Sequence, residues 1–121
     1  MSGDGAAMNI LVVEDEMIIA LHLEEMLQEL GHVVRTASRV QEGLGLLEAG
    51  PTDFAILDVN LGGEPSFPIA DRLLARGIPF AFATGYGGRL LPEPHAGTPV
   101  LEKPFGRAEL ARVLAAGQRR G

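Results

Sequence analysis

The sequence predicts an α/β fold in which one parallel sheet of five strands carries helices on both faces. Three observations predict it. Short apolar runs, too brief for helices, alternate along the chain with stretches whose apolar residues recur every three or four positions. Gly, Pro or acidic residues fence nearly every run. The central run, Phe54-Ala55-Ile56-Leu57, lies between Gly50-Pro51 and Gly62-Gly63 and has no polar alternation, so it reads as a strand buried on both faces, as in a parallel sheet.

The elements follow in order. Residues 1–7 are small and polar and read as a flexible leader to one domain spanning 8–121. Asn9–Val13 is a β-branched run, the first strand, and stops at Glu14-Asp15-Glu16. From Met17 the period changes to that of an amphipathic helix, with Ile19, Leu23, Met26, Leu27 and Leu30 on one stripe and Gly31 as its stop. His32–Thr36 is a second, more polar strand. Ser38 and Gln41 have capping-box spacing before a helix with Val40, Leu44 and Leu47 inward. Gly62–Ser66 reads as a flexible loop. Ser66 is placed to cap a third helix with Ile69, Leu73 and Leu74 inward and Gly77 as its stop. Ile78–Ala83 is the fourth strand, with Pro79 tolerated at its start. Gly85–Gly97 holds four glycines and two prolines in thirteen residues, leaving room for a weak or altered helix around Arg89–Leu91. Pro99–Glu102 is the fifth strand, and Leu110, Val113 and Leu114 mark a last helix. Right-handed crossovers with one reversal of direction give the flavodoxin-like order 2-1-3-4-5.

Composition narrows the function. The chain has 121 residues, enough for one core, and its formal charge of −6 argues against nonspecific nucleic-acid binding, which depends on Lys and Arg. There is no cysteine, hence no disulfide and no thiolate chemistry. No signal peptide is legible in the first residues, and no apolar run approaches the ~20 residues of a membrane helix, so the expectation is a cytoplasmic protein without a membrane partner.

The chemistry gathers at the carboxyl ends of the strands, where open α/β sheets bind ligands. Glu14 and Asp15 follow the first strand, Asp58 the third, Thr84 the fourth, and Lys103 the fifth. The first and third strands are neighbours in the expected order, so three carboxylates should share one crevice. They would raise one another's pKa unless a cation intervened. An oxygen-only ligand set favours Mg²⁺ or Ca²⁺, and carboxylates with open positions are the habit of Mg²⁺ sites that handle phosphoryl groups. Lys103 and the Thr84 hydroxyl would meet phosphoryl charge, while Asp58 would supply the nucleophilic oxygen. Taken singly, each residue has a plainer reading: solvated turn acids, a turn threonine, a surface lysine. Their conjunction on one side of one sheet favours the chemical reading.

On these residues the chain resembles the receiver domain of bacterial two-component response regulators, from Asn9 to about Leu114. The resemblance rests on the acidic pair Glu14-Asp15, the phosphoacceptor position Asp58, Thr84, and the pair Lys103-Pro104. It implies that Mg²⁺ is held by Glu14, Asp15, Asp58 and the backbone carbonyl of Asn60, and that Pro104 is a candidate for a cis peptide bond. It further implies a phosphoacceptor switch or phosphorelay shuttle rather than an enzyme, partnered by a sensor histidine kinase or phosphotransfer protein and by a downstream protein. Two departures stand out. Gly62 occupies a position where many receivers have Pro, and Val100 one where they carry an aromatic switch residue. The run Phe82-Ala83-Thr84-Gly85-Tyr86 is similar to that of a divergent receiver subgroup, which makes Tyr86 and Val100 candidate switch positions beside an altered fourth helix. The chain stops soon after its last expected helix, suggesting a stand-alone domain.

Two other readings are weighed against this one. A Mg²⁺-dependent aspartyl-phosphate phosphatase acting on small molecules would often have a second Asp where Asn60 stands, and usually a cap domain. A pseudo-receiver that signals by binding alone would not need the full acidic set.

Overall fold

A computed structural model describes residues 7–85 and 98–120. Its main sheet is built from β1 (Asn9–Val13), β2 (Val33–Ala37), β3 (Phe54–Asp58), β6 (Phe80–Thr84) and β7 (Val100–Glu102). The spatial order is β2-β1-β3-β6-β7 and every pairing is parallel. Numbered by sheet strands alone, this is the expected order 2-1-3-4-5. Between the sheet strands lie α1 (Met17–Glu29), α2 (Val40–Ala49) and α3 (Phe67–Arg76), and α4 (Arg107–Arg120) follows the last of them.

Side-chain alternation along the strands divides the core in two. Ile10 and Val12 of β1, with Phe54 and Ile56 of β3, face Leu23, Met26 and Leu27 of α1 and Leu110 and Leu114 of α4. Leu11 and Val13, with Ala55 and Leu57, face Val40 and Leu47 of α2 and Ile69, Ala70 and Leu73 of α3. The sheet is therefore covered on both sides, which is why its central strands β1, β3 and β6 read as apolar runs while the edge strand β2 is more polar.

Several local expectations need correction. β2 starts at Val33, one residue later than expected, because the His32 amide donates to the Leu27 carbonyl at 3.1 Å and closes the exit from α1. Ile78, Pro79 and Pro99 precede their strands rather than belonging to them. The α2 cap is shifted by one residue: the helix begins after Arg39, and Glu42 rather than Gln41 reaches back to accept from the Ser38 amide at 2.9 Å. Ser66 stands at the N-cap of α3, yet its hydroxyl makes no cap bond. Its backbone (φ −86°, ψ 7°) is not extended, and Pro68 removes one of the amides a cap would serve. Leu74 is 45% exposed, because only Ile69, Ala70 and Leu73 of α3 lie on the covered stripe.

The larger correction concerns the stretch after Asp58. It is an ordered antiparallel hairpin, β4 (Asn60–Leu61) and β5 (Glu64–Pro65), rather than a flexible loop. Gly62 and Gly63 have φ of +60° and +96°, the positive pair that a two-residue type I′ turn demands. The leader at 1–6 and the expected weak helix around Arg89–Leu91 lie outside the described residues.

Candidate functional site at the carboxyl ends of the strands

The sheet brings three acidic side chains together. The Glu14 amide donates to the Ala37 carbonyl at 2.9 Å, which extends the β1–β2 ladder by one residue, and Glu14 is 2% exposed. Asp15 follows on the exposed turn. Asp58 ends β3, the neighbour of β1, and is half-buried. One carboxylate oxygen from each of Glu14, Asp15 and Asp58 can be chosen so that all three lie within 4.8 Å of one another.

Lys103 reaches this cluster from the far side of the sheet. Its backbone amide donates to the Thr84 carbonyl at 3.0 Å, continuing the β6–β7 pairing beyond Glu102. Its ammonium donates to Glu14 Oε1 at 2.7 Å and to Asp58 Oδ2 at 3.2 Å. The peptide bond between Lys103 and Pro104 is cis. Thr84 closes β6 and is buried, one residue beyond the Ala83 that stands opposite Asp58 in the register.

Burial pushes the Glu14 carboxyl up to about 7, against the lowering influence of the Lys103 hydrogen bond and the Glu16 amide; the negative charge of Asp58 adds to the rise. Burial opposes the charge on Lys103 as well, but the Glu14 hydrogen bond and the two carboxylate charges outweigh it and hold the ammonium above its ordinary value. Among the described residues, two of the three carboxylates, Glu14 and Asp58, share the Lys103 ammonium. The donor set among the described residues is oxygen alone, so they fit a hard divalent cation such as Mg²⁺.

The hairpin forms a further wall among the described residues. The Asn60 amide donates to Asp58 Oδ1 at 3.3 Å, and a Cβ placed on Gly62 would come 3.6 Å from Asp15 Oδ2. Of the candidate switch positions, Val100 is half-buried and stands opposite Phe82 in the register, while Tyr86 lies outside the described residues. Two features escape a reading by periodicity. One is the hairpin, whose only signal is the pair Gly62-Gly63. The other is an apolar groove of about 460 Å³ between Ile18, Ile19 and Met26 of α1 and the Lys103–Phe105 loop. Ile18 in that lining is 83% exposed, and Met17 and Leu21 of the same helix are 75% and 52% exposed.

A doubly wound sheet with acids, a threonine and a lysine at its carboxyl edge defines a class of phosphoryl-handling α/β domains. Residues 10–115 match the model of the response regulator receiver domain, and the chain belongs to that family. Among curated proteins it is 32% identical over 124 residues to the transcriptional regulatory protein TcrA of Mycobacterium tuberculosis, covering 98% of this chain and 49% of TcrA. The chain thus spans about half the length of that relative. Among solved structures, SdrG from Sphingomonas melonis Fr1 superimposes with a TM-score of 0.82 at 45% identity, covering 98% of this chain and 99% of SdrG. The receiver domain of sensor histidine kinase PA1611 from Pseudomonas aeruginosa, solved with a magnesium ion in its active site cleft, gives a TM-score of 0.80 at 28% identity, covering 93% of this chain and 98% of that one.

Proposed function

We propose that this chain is a phosphoacceptor switch or phosphorelay shuttle in which Asp58 takes a phosphoryl group from a phosphohistidine. The observation that carries the reading is the Lys103 ammonium bonded at once to Glu14 and Asp58, with Asp15 beside them. On this reading the domain spans 8–121, acts in the cytoplasm as a signalling device rather than a small-molecule enzyme, and belongs with the receivers that carry the Phe82–Tyr86 run.

In the transfer, a carboxylate oxygen of Asp58 attacks phosphorus, an O–P bond forms, and the N–P bond of the donor imidazole breaks, its nitrogen leaving with the electron pair and then taking a proton. Bound Mg²⁺ would supply positive charge to the phosphoryl oxygens, held by Glu14, Asp15, Asp58 and the backbone carbonyl of Asn60. Lys103 supplies a second positive charge, and Thr84 a hydroxyl donor near the same oxygens. Glu14 keeps Lys103 aimed across the crevice. The donor histidine belongs to a sensor histidine kinase or phosphotransfer protein, and the groove between α1 and the Lys103–Phe105 loop, on the helix that exposes Met17, Ile18 and Leu21, offers an apolar seat for its helix beside Lys103. A downstream protein would read the phosphorylated state through movement of Thr84 and of the residues around Tyr86 and Val100.

The test is direct. Incubation with a small phosphodonor and Mg²⁺, followed by intact-mass measurement, should add one phosphoryl group that hydroxylamine removes. Asp58→Asn should stay unmodified. A label that persists in that variant would move the acceptor elsewhere.

A further inference from the structure

The hairpin after Asp58 is tied to the site by the backbone of Asn60, whose side chain bonds the hairpin's own turn. Asn60 Oδ1 accepts from the Gly63 amide at 2.8 Å, while the Asn60 backbone amide donates to Asp58 Oδ1 at 3.3 Å. One residue therefore links the turn of the hairpin to the carboxylate at the end of β3. The hairpin is fixed at two further points. The Ser66 amide donates to the Val59 carbonyl at 2.9 Å across its base, and Leu61 is buried at 6% exposure. Its turn sits against Asp15, as the 3.6 Å approach of a Gly62 Cβ to Asp15 Oδ2 records.

A ribbon of two residues per strand has too few ladder bonds to be stable by itself. The Asn60–Gly63 bond closes the same turn from inside, and both central residues there already have the positive φ that favours it. From this geometry we infer that Asn60 is a positioning residue for the acidic crevice. By closing the Gly62–Gly63 turn, its side chain holds the hairpin against Asp15 and presents the Asn60 backbone to Asp58. The side-chain oxygen accepts from the Gly63 amide, so the role assigned to it is closing the turn rather than ligating the cation. The inference rests on the phosphoacceptor reading of the crevice and adds to it a determinant of cation affinity outside the three acids.

Asn60→Ala removes the turn bond, and Asn60→Ala/Gly62→Asn restores a strong two-residue turn, since Asn-Gly is a favoured type I′ pair and Asn tolerates a φ near +60°. Backbone NMR would follow amide exchange at Gly63 and titrations with Mg²⁺ alone and then with beryllofluoride. In Asn60→Ala, Gly63 should lose protection and Mg²⁺ should bind about tenfold more weakly, as when outer partners of metal ligands are removed. The denaturation midpoint without Mg²⁺ should stay near that of the wild type. The double variant should recover both protection and affinity. Wild-type affinity in Asn60→Ala would overturn the inference. So would a double variant whose hairpin is restored while Mg²⁺ binding stays weak, because Asn60 would then act on the ion itself. A wild-type protein that binds neither probe would remove the phosphoacceptor reading, and this inference with it.

Discussion

The Lys103 ammonium and the Glu14 carboxylate, 89 positions apart in the chain, meet at 2.7 Å, and Glu14 is almost wholly buried. A buried acid beside a single ammonium is a poor stabilising pair, because the desolvation of both groups offsets much of their attraction. The same Lys103 must also serve Asp58 at 3.2 Å. Such an arrangement makes sense where a further positive charge enters the crevice.

The first prediction is therefore that Mg²⁺ stabilises the protein and that Asp15 is needed for it. At a Mg²⁺ concentration ten times Kd the gain is about 1.4 kcal/mol. Thermal melts with and without millimolar Mg²⁺ should show a rise in Tm for the wild type and little or none for Asp15→Asn. Equal rises in both proteins would take Asp15 out of the site.

The second prediction concerns Lys103. Lys103→Met keeps most of the side-chain stem and loses the cation, so the fold should persist while phosphorylation by a small donor slows about 100-fold, the scale seen when one donor to a developing charge is removed. Circular dichroism would check the fold and intact-mass kinetics the rate. A variant phosphorylated at the wild-type rate would show that Lys103 holds Glu14 and does nothing for transfer.

How far these features were legible follows from how each is encoded. Four of the five sheet strands and the convergence of Glu14, Asp15, Asp58 and Lys103 were legible because those strands are apolar runs with a polar residue at or just after the carboxyl end, and the order of a doubly wound sheet then determines which ends adjoin. The more polar β2 was legible from its place between two helical stretches. The Asn60–Pro65 hairpin was not. Two-residue strands have no alternation to read, and Glu64 and Pro65 are both exposed. Leu74 was misread as inward because it follows Leu73 directly, and one residue turns a helix by about 100°. The exposed Met17, Ile18 and Leu21 were hidden in a helix that is apolar on more than its covered stripe, so periodicity alone could not separate core from open surface.

A third prediction contrasts two helical glycines. A Cβ on Gly117 of α4 would lie 2.7 Å from Cδ2 of Phe54, which is fully enclosed in the core, and 3.5 Å from Pro79 Cβ. Gly117→Ala should destabilise by about 1–3 kcal/mol through overpacking. Gly45 of α2 is exposed with nothing within 4 Å of such a Cβ, so Gly45→Ala should stabilise by up to about 1 kcal/mol through helix propensity. Urea unfolding should move the two midpoints in opposite directions. A rise in both would mean that the ring of Phe54 yields, and a fall in both that propensity does not decide Gly45.

The last prediction is a pH dependence set by His32, away from the acidic crevice. Burial lowers its pKa below the ordinary 6.5, and its Nδ1 accepts from the Met8 amide at 3.0 Å, which only an unprotonated Nδ1 can do. Met8 in turn accepts from the Val33 amide at 2.9 Å, so the bond pins the start of β1 to the start of β2. The folded state resists a proton that the unfolded chain takes up near 6.5. The unfolded state therefore binds more protons between the lowered folded pKa and 6.5, and stability rises with pH across that interval. Above it the contribution is complete; below the folded pKa the His32–Met8 bond is lost. NMR titration of the His32 ring should give a midpoint below 6.5, with the Met8 amide losing exchange protection as the ring protonates. A midpoint at or above 6.5, with Met8 still protected in acid, would show that the amide finds another acceptor and that His32 plays no part in the acid sensitivity of the fold.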